Sequence, residues 1–73
     1  MQLTLKAVIA RVNRRLERDD GTMLRRTALS ERYRMGEFHE LDISRNLVVG
    51  YDRDPEALGR ELGLIRPNDV IVG

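Results

Sequence analysis

One histidine and a scatter of hydroxyls and carboxylates are the residues of this 73-residue chain best suited to catalysis. With no cysteine and only His39, the common zinc constellations cannot be assembled. A Ser-His-Asp group needs a hydroxyl, an imidazole and a carboxylate converging on one cleft. Ser30 or Ser44, His39 and Asp42 are the available members, but in a strand His39 and Asp42 fall on opposite faces. No Gly-x-Ser-x-Gly turn exposes a nucleophile, and no Gly-x-x-x-x-Gly-Lys loop cradles phosphate. Asp52, Asp54 and Glu56 resemble a carboxylate cluster, yet the glycine and distal glutamate of a calcium loop are missing. A helix cap accounts for Asp54 and Glu56. The inventory predicts a protein that is not an enzyme and needs neither metal nor cofactor.

Arginine is the chemistry that remains. Twelve of the thirteen basic residues are Arg, the side chain whose planar fork grips phosphate through two parallel hydrogen bonds. Residues 1–34 hold nine basic and four acidic residues, a net of +5; residues 35–73 hold four and eight, a net of −4. The formal charge of +1 hides this division. On a helical wheel with Leu5 at zero and ~100° per residue, Arg14, Arg18, Arg11 and Arg15 fall at roughly 180°, 220°, 240° and 280°. They form one ridge opposite and beside the apolar stripe. Arg25 and Arg26 follow, and Tyr33 between Arg32 and Arg34 offers a surface on which an unpaired base can stack.

The elements that must position these residues read as follows. Leu5, Val8, Ile9, Val12 and Leu16 recur at helical spacing and predict a helix over about 5–18, with Thr4 as N-cap and Asp19-Asp20-Gly21 as its end. Alternation predicts a strand over about 22–29, followed by a polar loop to Gly36. Strands over about 37–43 and 47–52 flank Ser44-Arg45-Asn46, a three-residue hairpin loop in which Asn46 tolerates positive φ. That register sets Ile43 opposite Leu47, Leu41 opposite Val49 and His39 opposite Tyr51. Asp54 as N-cap, Pro55 at the first position and Glu56 in the first turn start a second helix over about 55–62, which Gly63 stops. The tail, residues 64–73, ends in Val70-Ile71-Val72, an edge strand or a tucked segment. The expected fold is α+β in the order α-β-β-β-α: a three-stranded antiparallel sheet with two helices on one face.

Seventy-three residues make a single domain near the lower limit of independent folding. Tyr33, Phe38 and Tyr51 are its only aromatics, so aliphatic side chains carry the core, and a homodimer would supply further burial. No run approaches the ~18 apolar residues of a spanning helix. The absence of cysteine and of a secretory pattern leads to the expectation of a cytoplasmic protein with no membrane partner.

Thr4-Leu5-Lys6-Ala7-Val8, Val12-Asn13-Arg14-Arg15-Leu16, Leu24-Arg25-Arg26-Thr27, the run Asp42 to Val49 and the run Asp54 to Gly63 together resemble a group of short uncharacterised proteins of proteobacteria, plasmids and phages. The resemblance covers nearly the whole chain and implies a mobile-element or accessory setting. The order of elements also resembles the double-stranded RNA-binding domain. That family, however, has a lysine cluster where this chain has Asp54-Pro55-Glu56.

Two functional readings follow. In the first, the Arg-rich half contacts nucleic acid, with Arg11, Arg14, Arg15, Arg18, Arg25 and Arg26 on phosphates and Tyr33 stacking. In the second, the protein binds a host protein that handles nucleic acid. Its acidic half, chiefly Glu40, Asp52, Asp54 and Glu56, then mimics phosphates as small phage inhibitors do. The two readings share one condition on the fold. The ridge of α-helical arginines must not be spent on carboxylates of the chain's own second half.

Overall fold

The computed structural model describes residues 1–73 and joins two small sheets through one long helix. Strand β1, Gln2–Thr4, leads directly into helix α1, Leu5–Asp20. Thr4 closes the helix start, its Oγ1 accepting the Ala7 N–H at 3.1 Å. The predicted apolar stripe faces inward and buries Val8, Val12 and Leu16. Gly21 ends the helix at φ 67°, its N–H donating to the Leu16 carbonyl. The helix runs two residues further than the expected end because Asp19 is bound by Arg15 and Arg18, which offsets its poor position at the negative end of the dipole.

Strand β2, Thr22–Arg26, stops three residues short of its predicted end. Thr27 is buried, and the chain then forms a 3₁₀ turn at Leu29–Glu31 and a one-turn helix α2, Arg32–Met35, where a loop was expected. Arg32 holds this segment down, its Nε donating to the Thr27 carbonyl at 3.2 Å. Gly36 closes it at φ 76°, ψ −178°, a conformation essentially restricted to glycine. A Cβ there would also lie 2.8 Å from the Asp52 Cα.

Strands β3, Phe38–Asp42, and β4, Leu47–Gly50, complete an antiparallel sheet of order β2-β3-β4. The expected hairpin register is corrected by one position. Asp42 faces Leu47, Leu41 faces Val48 and Glu40 faces Gly50, so the loop has four residues and Val49 is the extra residue of a bulge. Past the bulge Glu40 and Gly50 return to the expected register, and the β3–β4 ladder ends there, before His39 and Tyr51. On its other side His39 pairs with Arg25 of β2. The cause is Asp42, whose Oδ1 accepts the Ser44 hydroxyl at 3.0 Å and the Arg45 N–H at 3.1 Å. The Asp42 carbonyl also accepts the Asn46 N–H at 2.8 Å, and Asn46 takes the anticipated positive φ, 55°.

Helix α3, Pro55–Glu61, starts on Asp54, which accepts the Glu56 N–H at 3.0 Å. Gly59 lets it approach α1 closely; a Cβ there would meet Ile65 and stand 3.5 Å from Val8. Strand β5, Val70–Val72, is the strand partner of β1 in a two-stranded sheet, and the two run parallel. The apolar tail is therefore a strand. The core lies between α1, β2, β1 and the segment after α3, and comprises Leu3, Val8, Val12, Leu16, Leu24 and Ile65, with Leu58, Leu62, Leu64 and Ile71 packed around it. No helix is long and apolar enough to cross a membrane.

Candidate nucleic-acid interface

The solvent face of α1 carries the arginine ridge at the spacing its sequence dictates. Arg11, Arg14, Arg15 and Arg18 line one open groove of about 270 Å³, with Leu64 from the turn after α3 as its apolar wall. At 1.5 Å per residue the four side chains span roughly 10 Å along the helix. Their partners are few and local. Arg15 Nε donates to Asp19 Oδ2 at 2.8 Å, and Arg18 Nε donates to Asp19 Oδ1 at 2.9 Å. Arg11 Nη1 reaches only the Leu64 carbonyl, at 3.4 Å. Arg14 makes no hydrogen bond or ion pair within the chain. None of the four meets a carboxylate from residues 35–73.

Electrostatics in the groove follow from this count: four guanidiniums and one carboxylate. Hydrogen bonds from Arg18 and Arg15 hold the Asp19 carboxyl below the ordinary carboxylate range. Asp19 in turn raises the Arg18 guanidinium. Both Nη groups of Arg15 and Arg18 remain outside these bonds, since each side chain meets Asp19 through Nε. Such a surface attracts anions and offers paired donors to phosphate oxygens.

The remaining predicted contacts lie elsewhere. Arg25 alternates with the buried Leu24 and so points from the opposite face of the sheet. Arg26 sits on the α1 side but is occupied: its Nη1 pairs with Glu37 Oε1 at 3.0 Å, and its guanidinium lies 4.8 Å above the Phe38 ring. Tyr33 is 84% exposed on α2 and does not line the groove. Four of the seven residues therefore form one surface, and Arg25, Arg26 and Tyr33 stand apart from it. Leu64 is the member that sequence reading missed, because its place beside α1 depends on the turn after α3.

The acidic candidates are largely taken up by the fold. Glu40 is buried rather than displayed: Oε1 accepts both Nε and Nη2 of Arg53, at 3.0 and 2.7 Å, and Oε2 accepts the Thr22 hydroxyl at 2.7 Å. As a partner-facing acid it is corrected to an internal ion pair. Asp54 caps α3, and Glu56 lies 3.7 Å from Arg60 one turn on. Asp52 is exposed at φ 51°, its N–H donating to the Met35 carbonyl at 2.8 Å. Asp52, Asp54 and Glu56 do not converge on a point that could hold an ion. His39 is buried with Nδ1 2.8 Å from the Thr27 hydroxyl, whereas Ser44 and Asp42 bond to each other in the hairpin turn. These groups do not form a triad.

Asn13 has a role that sequence reading did not assign. Its Nδ2 donates to the Leu24 carbonyl at 3.2 Å and its Oδ1 accepts the Leu24 N–H at 2.7 Å. One side-chain amide thus pairs the outer edge of β2 as a neighbouring strand would and fixes the rotation of α1. With that rotation set, the ridge faces away from β2. Comparison of the chain with protein-family models, curated proteins and solved structures finds no match.

Proposed function

We propose that this protein is a non-enzymatic accessory binder whose α1 groove contacts the phosphates of nucleic acid. The observation that carries the reading is the groove itself: Arg11, Arg14, Arg15 and Arg18 share one surface with a single carboxylate among them. A duplex strand presents one phosphate per 3.4 Å of axis, so a row of roughly 10 Å spans about three. No aromatic side chain lines the groove, and its donors address phosphate, so contact is with the backbone and discriminates little between sequences. The sequence resemblance supports an accessory setting on a plasmid, phage or other mobile element, and the cysteine-free composition is compatible with a cytoplasmic one. The phosphate-mimic alternative is weakened by Glu40, which is consumed by Arg53 and Thr22.

Fluorescence anisotropy with labelled single-stranded DNA, duplex DNA and RNA tests the reading. Binding should fall steeply as NaCl rises from 50 to 200 mM, because each phosphate contact releases counterions. Arg11→Ala and Arg14→Ala should weaken all sequences alike, while Arg25→Ala should leave affinity unchanged. Affinity that does not respond to salt would end the proposal.

A further inference from the structure

We infer that the nucleic acid is double-stranded and that its contact continues past the groove to Lys6, along one ridge of α1; this rests on the phosphate-binding reading above. Residues four apart form continuous ridges on a helix, inclined to its axis by roughly 26°. One ridge of α1 is Leu5, Ile9, Asn13 and Glu17, and Asn13 ties it to the edge of β2. The next is Lys6, Ala10, Arg14 and Arg18, and beyond it lie Ala7, Arg11, Arg15 and Asp19. The middle ridge carries three cations, one alanine and no acid. Lys6 is exposed and, like Arg14, makes no hydrogen bond or ion pair within the chain. It stands outside the groove, on the rim of a separate hollow shared with Arg26, whose Nη1 is already held by Glu37.

Length and lining indicate the class of ligand. From Lys6 to Arg18 the ridge runs about 18 Å at 1.5 Å per residue, against roughly 10 Å for the groove alone. One strand of a duplex sets about five phosphates along that length. Ala10 and the half-buried Ala7 leave a low stretch between Lys6 and the arginines, where a sugar-phosphate backbone can lie against the helix. Five cations face two carboxylates, Asp19 and Glu17, so the whole track carries a net of three charges. Proteins that hold single strands add aromatic platforms on which the bases stack. None of the three aromatics supplies one here. Phe38 is buried beneath Arg26, and Tyr33 and Tyr51 line neither the groove nor the hollow at Lys6. A duplex keeps its bases stacked on one another and brings its phosphates already ordered, so a rail of cations without a platform favours it.

Anisotropy over 50–200 mM NaCl with a 20-base-pair DNA duplex, the RNA duplex of the same sequence and the 20-nucleotide DNA single strand tests the inference. A duplex should bind at least about tenfold tighter than the single strand, and the DNA and RNA arms show which helix supplies the phosphates. Lys6→Ala should make the duplex salt slope shallower by about 0.9 and weaken binding at 50 mM by roughly 15-fold. Ala10→Glu, which sets an acid in mid-ridge without touching Lys6, should do the same. Both positions are exposed, so thermal melts of the two variants should match the wild type. A single strand bound as tightly as the duplexes, or an unchanged slope in either folded variant, would overturn the inference. If Arg14→Ala still weakens binding in that case, the groove reading stands without it. Loss of binding to every probe by the wild type would overturn both.

Discussion

Replacing Asp19 by Asn separates a working arginine groove from a merely solvated one. In the wild type, four guanidiniums face one carboxylate, and that carboxylate accepts Nε of Arg15 at 2.8 Å and of Arg18 at 2.9 Å. The groove therefore carries three uncompensated charges. A ligand neutralised by about three charges gives a slope of log K against log salt near −2.7 on duplex DNA, so fourfold more salt costs roughly 40-fold in affinity. Asp19→Asn raises the count by one. The slope should steepen to about −3.6, and the same salt step should then cost roughly 150-fold. Extrapolated from a common value near 1 M, the variant binds about 15-fold tighter at 50 mM. Stability should change little, because a carboxylate near the negative end of α1 is poorly placed and the ion pairs it loses are exposed. The assay is anisotropy of a labelled 20-base-pair duplex over 50–200 mM NaCl, beside a thermal melt of both proteins. An unchanged slope would refute the reasoning, and so would weaker binding by a variant that melts normally.

Four further outcomes follow from the fold. Asn13→Leu removes both partners of the Leu24 backbone, and should cost about 2 kcal/mol in urea unfolding and promote aggregation through the bare edge of β2. Gly36→Ala imposes a disfavoured backbone and a contact with Asp52, a loss of about 1–3 kcal/mol or more by the same measurement. Val12→Ala, at a position with no exposure, should cost about 2–3 kcal/mol, a large share of the roughly 4–11 kcal/mol expected of a domain this size. The pH dependence has a definite sign. Asp42 is held low chiefly by the Arg45 N–H and then by the Ser44 hydroxyl, and Asp69 chiefly by the Arg66 N–H. A carboxyl with a depressed folded pKa stabilises above its unfolded value of about 3.9 and loses that contribution as pH falls through the folded one. The melting temperature should therefore hold steady from pH 7 to about 5 and drop below pH 4, with a shallower drop in Asp69→Asn.

The long elements were legible because local chemistry decides them. The stripe from Leu5 to Leu16, the Thr4 and Asp54 caps and Asn46 at positive φ all rest on contacts within a few residues. What escaped depends on partners far along the chain. β1 forms only because β5 arrives beside it some 68 residues later, with Gln2 aligned to Val70. The hairpin register turned on whether Asp42 belonged to the strand or to the turn, and its carboxylate serves both. The helical wheel placed Arg11, Arg14, Arg15 and Arg18 together correctly, since one helix suffices to align them. Adding Arg25, Arg26 and Tyr33 required knowing which sheet face α1 covers. That depends on the Asn13 contact with Leu24, which spacing alone does not announce.

The near-neutral formal charge conceals how differently the two halves use their charges. Six of the eight carboxylates in the second half have internal tasks. Glu37 holds Arg26, Glu40 holds Arg53, Asp42 and Asp69 fold turns, Asp54 caps α3 and Glu56 reaches Arg60. Two of these six reach across to a cation of the first half, Glu37 to Arg26 and Asp69 to the Met1 ammonium, and both cations lie outside the groove. Internal neutralisation was the condition under which the arginine ridge would have meant nothing. It has a geometric obstacle here. α1 turns its apolar stripe to the core and Asn13 to the edge of β2, so the ridge faces solvent, beyond reach of the β3–β4 hairpin where several of the acids sit. The protein thus carries a charge separation that its own fold cannot close. The exposed positive end is where the proposed nucleic-acid contact would be favoured.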